Sequence, residues 1–557
     1  MIEAIDPAGA LQHSRPAVAR VLAAVPAWWA RRAWLAGMPA GWQAWRQGLP
    51  TPPVELPEAP EDTSPRVSGF SLGEAYAAAL SSAERQHHGR HYTPRALAGA
   101  LWREVERSGI ELPEGPVVDP ASGAGALLLL PLRQYVKEWD GSDASGALLR
   151  AAESFAGVEN DPLAAWLGNA ILAAELLPLW VRVPERERVS LPQLIRTGNG
   201  LDPQPESAAM VLMNPPYGRA ALDPESRRRW ASSLYGHANW YGVFLHAAVE
   251  RVAPGGVVAA VLPASFLGGA YYQRLRRFLG ERAPLTRLRL IDDRCGVFAS
   301  GVLQETCLAV FHKGARTTRV ACSTQVMNGR VRSIDLGSQA LSMGDHDLPW
   351  LLPRTRADVA LIEAAGRMPR RLRDYGWKAS TGPLVWNRHK QQISQAPRNG
   401  AVPILWAADI AAGIVRRSTA RATQRWLTPR ERDHFMVLTE PAVLVQRTTA
   451  PEQPRRLVAA CLTAQDLEDE WGGAVVVENH VNVLRPIDGS GGLVSAELLA
   501  ALLNTSTLDR LYRCLTGTVA VSAYELEALP LPSDETLAAL DGLPSRDVAA
   551  ALAQAFA

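Results

Sequence analysis

Lysine is nearly absent: Lys137, Lys313, Lys378 and Lys390 are the only four in 557 residues. None follows a glycine, so no GxxxxGK[ST] phosphate loop can be written, and no GxGxxG fingerprint is present either. The residues two positions before them are Tyr135, Phe311, Gly376 and Arg388. None is acidic, so the carboxylate-x-lysine core of a PD-(D/E)xK nuclease is missing too. Cysteine is scarce and scattered: Cys295, Cys307, Cys322, Cys461 and Cys514 form an odd count without CxxC. That argues against a disulfide framework or a zinc site, and the expectation is a reducing cytoplasm and no metal. No apolar run approaches the roughly 20 residues that span a bilayer. The acidic opening Met1–Asp6 lacks the basic start of a secretion signal, so no membrane association is expected.

What is present is a globular composition, 47% hydrophobic and 20% charged, in a chain long enough for two or three domains. The net charge of +2 conceals an uneven distribution. From Arg367 to Arg456 there are 17 basic against 6 acidic residues, a local +11, which leaves −9 for the remainder. One basic segment in an otherwise acidic chain is the footprint expected of a polyanion-binding module. The first 66 residues carry a tryptophan-rich amphipathic patch, Trp28, Trp29, Trp34, Trp42 and Trp45. It reads as a helical extension packed on the main body, with an aromatic nucleic-acid contact as the weaker alternative.

Apolar runs and helical periods alternate over 67–315. "PVVD" at 116–119 reads as a strand, then a glycine-rich turn and a helix over 127–137. "SFAGVE" at 154–159 is a second strand, with a helix over 163–176. Strands over 209–213, 257–263, 288–291 and 307–312 follow, with a helix over 243–252. Alternation of this kind predicts an α/β fold with a mostly parallel sheet, whose ligands sit beyond the carboxyl ends of the strands. The remaining divisions expected are a connector at 316–366, a basic domain at 367–533 and a helical tail at 534–557.

Three motifs fall at strand ends. "VVDPASGAGALLL" (117–129) places Asp119 at the end of the first strand, before Gly123 and Gly125 and a helix start. Glycines there let the backbone approach a ligand closely, although such a turn alone could serve any nucleotide-like molecule. "GVEND" puts Glu159 at the end of the second strand, where an acid can accept hydrogen bonds from ribose hydroxyls or, equally, cap the next helix. "LMNPPYGR" (212–219) ends an apolar run with a carboxamide, two prolines and a ring. Prolines stop the strand and stiffen the corner from which Asn214 emerges.

These motifs resemble those of a known family. "DPASGAGAL" is similar to the S-adenosylmethionine-binding motif of amino-group methyltransferases, "NPPY" to their catalytic motif, and "GRHYTPRALA" (89–98) to their upstream cofactor motif. Their order resembles that of gamma-class, TaqI-like DNA adenine N6-methyltransferases. "STGPLVWNRHK" (380–390), "LVQRTTAPEQPRRLVAA" (444–460), "VENHVNVLRP" (477–486) and "TGTVAVSAYELEALPLP" (516–532) are similar to the PstI-like group of restriction–modification enzymes.

The resemblance implies a Rossmann-like methyltransferase domain with a mostly parallel seven-stranded sheet, followed by an α+β target-recognition domain. It implies S-adenosylmethionine as cofactor, S-adenosylhomocysteine as product, and double-stranded DNA as partner. It also implies a separately encoded restriction endonuclease acting on the same site. Asn214, Pro215, Pro216 and Tyr217 would be catalytic, with Tyr217 stacking on the extruded base. Phe298 is the best match for the second ring, with a plain core phenylalanine as an equal alternative. Tyr92, Thr93, Asp119, Ala121, Gly123, Gly125, Glu159, Asn160, Asn199, Gly200 and Asn214 would surround the cofactor. An aspartate is usual where Asn199 stands, which leaves Asp202 as a rival for that role. Within the basic domain, Arg371, Lys378, Arg388, Lys390, Arg447, Arg455 and Arg456 are the expected DNA contacts, mostly to phosphate. Methylation of RNA or of protein glutamine, and a catalytically inactive DNA-binding protein, are the competing readings.

Overall fold

A computed structural model describes residues 16–38, 46–56, 67–81, 92–112, 115–204, 207–291, 305–317, 319–327, 331–341, 347–449, 453–487, 493–515 and 520–557. The chain divides into two compact units. The first comprises 1–263, 274–321 and 325–333; the second comprises 264–273, 322–324 and 334–557.

The first unit is built on strands β1 (Val117–Asp119), β2 (Phe155–Glu159), β3 (Ile195–Thr197), β4 (Ala208–Met213), β5 (Val252–Pro263), β6 (Leu285–Ile291) and β7 (Thr306–His312). They lie in the order β3-β2-β1-β4-β5-β7-β6. The first five are parallel, and β7 runs antiparallel to both β5 and β6. Strand Arg319–Met327 continues the sheet beyond β6. The expected α/β fold is therefore met, and β1 and β4 are buried almost throughout, as strands of a parallel sheet covered on both faces are. The strand order reverses at β1: the chain runs outward to β2 and β3, then returns to place β4 on the other side of β1. The ends of β1 and β4 thus flank the switch point where such sheets bind ligands.

Helix Pro162–Trp180 is capped by Asp161, whose carboxylate accepts from the Leu163 N–H at 3.0 Å. Its 19 residues are apolar apart from Asn169 and Glu175, so it is longer and more hydrophobic than the reading of 163–176 anticipated, and it meets the length and hydropathy of a membrane span. Its position accounts for this composition: it is 89% buried inside the first unit's core. Helix Pro16–Ala23 joins that core through Val18 and Leu22, and helix Val25–Leu35 through Trp28 and Trp29, both fully buried, while Trp34 is exposed. Trp42 and Trp45 lie outside the described residues.

The second unit contains a four-stranded antiparallel sheet ordered Trp377–Thr381, Val481–Pro486, Ala442–Gln446, Ala459–Leu462. A five-stranded mixed sheet stands beside short 3-10 turns. The described part of the stretch expected as a connector carries regular structure. It holds strands Arg319–Met327 and Val331–Ala340 and helix Asp358–Ala365, whose Leu361 and Ile362 are buried in the second unit. Residues 534–557 form two helices, Asp534–Ala538 and Ser545–Ala555, with Leu537, Leu540, Val548, Leu552 and Phe556 buried in the same core. The tail thus completes the core of the second unit.

Leu552 is fully buried. Leu552→Ala is expected to cost the second unit about 2–5 kcal/mol, as for other large-to-small core changes. Leu543→Ala, at a residue 42% exposed, should change little. Denaturant midpoints followed by circular dichroism check both.

Candidate active site

Asp119 closes β1 in a fully buried position, and its Oδ1 accepts the Ala121 N–H at 3.0 Å. Burial pushes its carboxyl up to about 8, with Glu159 adding to the rise and the Ala121 bond opposing it. The loop that follows turns through Gly123 and Gly125, whose φ angles of 52° and 78° are left-handed. A side chain would be strained at both. Glu159, at the end of β2, ties this loop down. Its Oε2 accepts the Gly123 N–H at 2.8 Å and its Oε1 the Asp161 N–H at 2.9 Å. The next helix is capped by Asp161 and not by Glu159; a carboxylate has about four acceptor sites, so holding the loop and binding a ligand are compatible roles for Glu159. Asn160 lies half-buried between Glu159 and Asp161.

Beyond β3, Gly200 packs so closely that a Cβ there would lie 1.8 Å from the Pro120 carbonyl oxygen. Ala121 and Gly200 are thus brought together with Asp119 along one wall. Asn199 is half-buried and its Oδ1 accepts the Leu201 N–H at 3.0 Å. Asp202 is exposed, and its backbone oxygen is held by Arg251 at 3.3 Å. The two rivals thus differ in exposure, Asn199 adjoining Gly200 and Asp202 facing solvent.

At the end of β4, Asn214 is 9% exposed and fixed on both sides. Its Nδ2 donates to Thr93 Oγ1 at 3.1 Å, and its Oδ1 accepts from the Tyr217 hydroxyl at 3.2 Å. The same hydroxyl lies 3.3 Å from the Val261 carbonyl. Tyr241 meets the Tyr217 ring edge-on, with centroids 6.2 Å apart. Pro215 is buried, Pro216 half-buried, and Gly218 leaves the corner at a φ of 110°. Thr93 is held just ahead of helix Arg95–Glu106, which buried Glu104 anchors to Arg289 and, at 3.0 Å, to Arg287 of β6. Tyr92 turns its hydroxyl to the Phe70 carbonyl at 3.1 Å and packs on Gly73, so its ring supports the wall. Phe298 lies outside the described residues.

Two residues were missed by the sequence reading. Tyr76 donates to Asp161 Oδ2 at 2.7 Å and so braces the turn that carries Glu159, and Tyr241 orients Tyr217. The "ND" after Glu159 was a visible helix-cap signal for Asp161. Nothing local marked either tyrosine.

In the second unit the basic residues divide. Lys378, Arg388 and Lys390 are exposed. Arg455 is exposed and reaches the Asn504 carbonyl, and half-buried Arg447 donates to the Asn479 carbonyl at 3.0 Å. Arg456 is 2% exposed with its guanidinium 5.8 Å from the Tyr512 ring, and burial lowers its pKa. Arg371 is half-buried, and its Nη1 donates to the Met368 and Arg370 carbonyls at 3.1 and 2.8 Å.

Residues 69–339 match the family described as N-6 DNA Methylase. The chain is 25% identical over 346 residues to the type II methyltransferase M.BsuBI of Bacillus subtilis, covering 59% of this chain and 66% of that one. It is 26% identical over 340 residues to the type II methyltransferase M.PstI of Providencia stuartii, covering 59% and 65%. The matched stretches thus span slightly less than two thirds of either relative. Among solved structures, the type IIG restriction endonuclease BpuSI aligns at 15% identity with a TM-score of 0.47, over 96% of this chain and 72% of that one. The likeness to N6 methyltransferases of the PstI-like group, read from the motifs, holds over these spans.

The elevated Asp119 pKa has a testable consequence. An unfolded chain loses this proton near 3.8, whereas the native state keeps it to about 8. Native protein therefore binds more protons across that window, so this group's contribution to stability falls as pH rises from about 4 to about 8 and is level above. Asp119→Asn should remove that slope, measured as unfolding free energy against pH without ligand.

Proposed function

We propose that this chain is a site-specific DNA methyltransferase that methylates N6 of an adenine swung out of duplex DNA, as the modification component of a restriction–modification system. The observation that carries the reading is the buried Asn214 carboxamide, held by Thr93 and Tyr217 at the end of β4, across the switch point from Asp119. S-adenosylmethionine, when bound, supplies the methyl group and leaves as S-adenosylhomocysteine. The wall built from Ala121, Gly123, Gly125 and Gly200 fits it, because Gly200 has no room for a side chain and both loop glycines are left-handed. Asp119 would serve the amino-acid end, Glu159 the ribose and Asn199 the adenine.

Adenine's exocyclic nitrogen is a poor nucleophile because its lone pair is delocalised into the ring. Asn214 Oδ1 and the Pro215 carbonyl can accept its two N–H bonds and favour a tetrahedral nitrogen, which frees the pair. Both acceptors are positioned before substrate arrives, so the contribution is electrostatic and orientational, and no side-chain base is required. Tyr217 must give up its bond to Asn214 for this; the Val261 carbonyl, 3.3 Å away, remains for its hydroxyl. Its ring would then stack on the extruded base, which is worth roughly 1–3 kcal/mol.

A surface beside this corner suits DNA. Residues 218–239 leave and re-enter at one point, where Gly218 accepts from the Trp240 N–H at 3.0 Å and Ala220 donates to Ala238 at 2.9 Å. Arg219, Arg227, Arg228 and Arg229 are exposed on this excursion, and none forms an ion pair among the described residues. Uncompensated guanidinium groups next to a catalytic corner favour a polyphosphate substrate over a protein amide.

Asn214→Ala should lower methyl transfer to unmethylated duplex DNA by about 100–1,000-fold, the loss seen when one preorganised polar group is removed. DNA binding should persist. Transfer of labelled methyl groups, offered duplex DNA, RNA and protein side by side, measures this; label only on protein would overturn the reading.

A further inference from the structure

We propose that Arg421 reads a guanine in the recognition sequence through the major groove. The inference rests on the DNA-methyltransferase reading above and names a residue that sets its specificity. Arg421 sits in the arginine-rich loop "RRSTARATQR" (416–425), which contains no acid. Its φ of 60° is left-handed; Asp143 is the other non-glycine residue so placed among the described residues. The turn is closed by the Gln424 N–H donating to the Arg421 carbonyl at 2.8 Å. Above it the guanidinium lies 5.4 Å from the Trp386 ring and 5.1 Å from the Trp406 ring. Its Nη1 donates to Gln424 Oε1 at 3.2 Å. Trp406 is itself fixed to the same turn, its Nε1 donating to the Gln424 carbonyl at 2.9 Å.

Two neighbouring arginines are committed elsewhere, while Arg416 is exposed. Arg425 pairs with Asp409 at 3.1 Å, and Arg417 rests 5.0 and 5.2 Å from the Trp471 and Trp426 rings, with its backbone N–H on Glu470. Arg421 is exposed and has no ion-pair partner among the described residues. It combines an exposed charge that has no ion-pair partner among those residues with a held position. A phosphate can be met from many directions by a mobile side chain, so it does not need a guanidinium held beside two rings and bonded to Gln424. A guanine edge does need it, because O6 and N7 accept two parallel N–H bonds only from one orientation. Strained backbone that persists under such support is typical of recognition sites.

The test expresses the full chain in a host without N6-methyladenine and maps methylated positions by single-molecule sequencing. Wild type should mark one motif that contains a guanine. Arg421→Gly keeps the left-handed backbone and removes the guanidinium. It should mark the same adenine with one guanine position degenerate, discrimination there falling about 10–100-fold. Arg388→Ala should instead reduce marking at all sites and leave the motif intact. An unchanged motif in Arg421→Gly overturns the inference. So does complete loss of marking by a variant that melts normally and binds S-adenosylhomocysteine as wild type does. A wild-type chain that marks no DNA would bring down the methyltransferase reading itself.

Discussion

The return of β4 to the side of β1 opposite β2 is the constraint on which the site depends. Parallel pairing of Val117 with Met210 and Val118 with Val211 sets the ends of the two strands level. Asp119 and Asn214 therefore emerge at one edge although 94 residues separate them in the chain numbering. A shift of one residue would turn every β4 side chain to the opposite face. The apolar Met210–Met213 run, buried on both faces, resists any slip that would draw Asn214 inward or expose methionine. Chemistry at the corner is inherited from packing beneath it.

The polar groups at this edge show what the packing sustains. A carboxyl as buried as Asp119 would be costly if ionised, and the fold holds it with one backbone N–H and a rise in pKa. Glu159 is treated differently: two backbone N–H groups satisfy it, and it remains half-buried. Two acids on adjacent strand ends thus differ in hydrogen bonds and in contact with solvent. A cationic ligand group near Asp119 would reverse its burial penalty, so binding and deprotonation there are coupled.

Much of this edge was legible because it rests on local signals. β1, β2 and β4 are short apolar runs that stop at Pro, Gly or a helix cap, and each stop carries the polar residue that counts. β3 was harder to see, since Ile195-Arg-Thr197 has only one buried side chain. Helix Ala144–Ser154 escaped because it starts at Asp143, a non-glycine residue at a φ of 32° that reads as a loop. The supports of the site were invisible for another reason. Tyr76 lies 85 residues from Asp161, and Tyr241 is 24 from Tyr217, so only the assembled fold pairs them. Charge counting has the same blindness at Arg456, because a tally cannot distinguish a guanidinium in solvent from one buried near a ring.

That failure also explains why the basic segment relies on arginine and tryptophan. A lysine ammonium is a strongly hydrated point charge, poorly suited to lie flat between rings, whereas a guanidinium is planar and weakly hydrated. The second unit uses this repeatedly: Arg417 lies by Trp426 and Trp471, and Arg421 by Trp386 and Trp406. Tryptophan buries a large apolar surface while its face accepts the cation, so one residue serves core and surface together. Lys390, 5.5 Å from the Trp386 ring, is the single lysine found in such a contact among the described residues. The scarcity of lysine and the abundance of tryptophan are then two sides of one arrangement, in which positive charge is oriented before a partner arrives. A surface made this way loses less entropy on binding than one of mobile lysines, and it can discriminate by geometry where mobile charge can only attract.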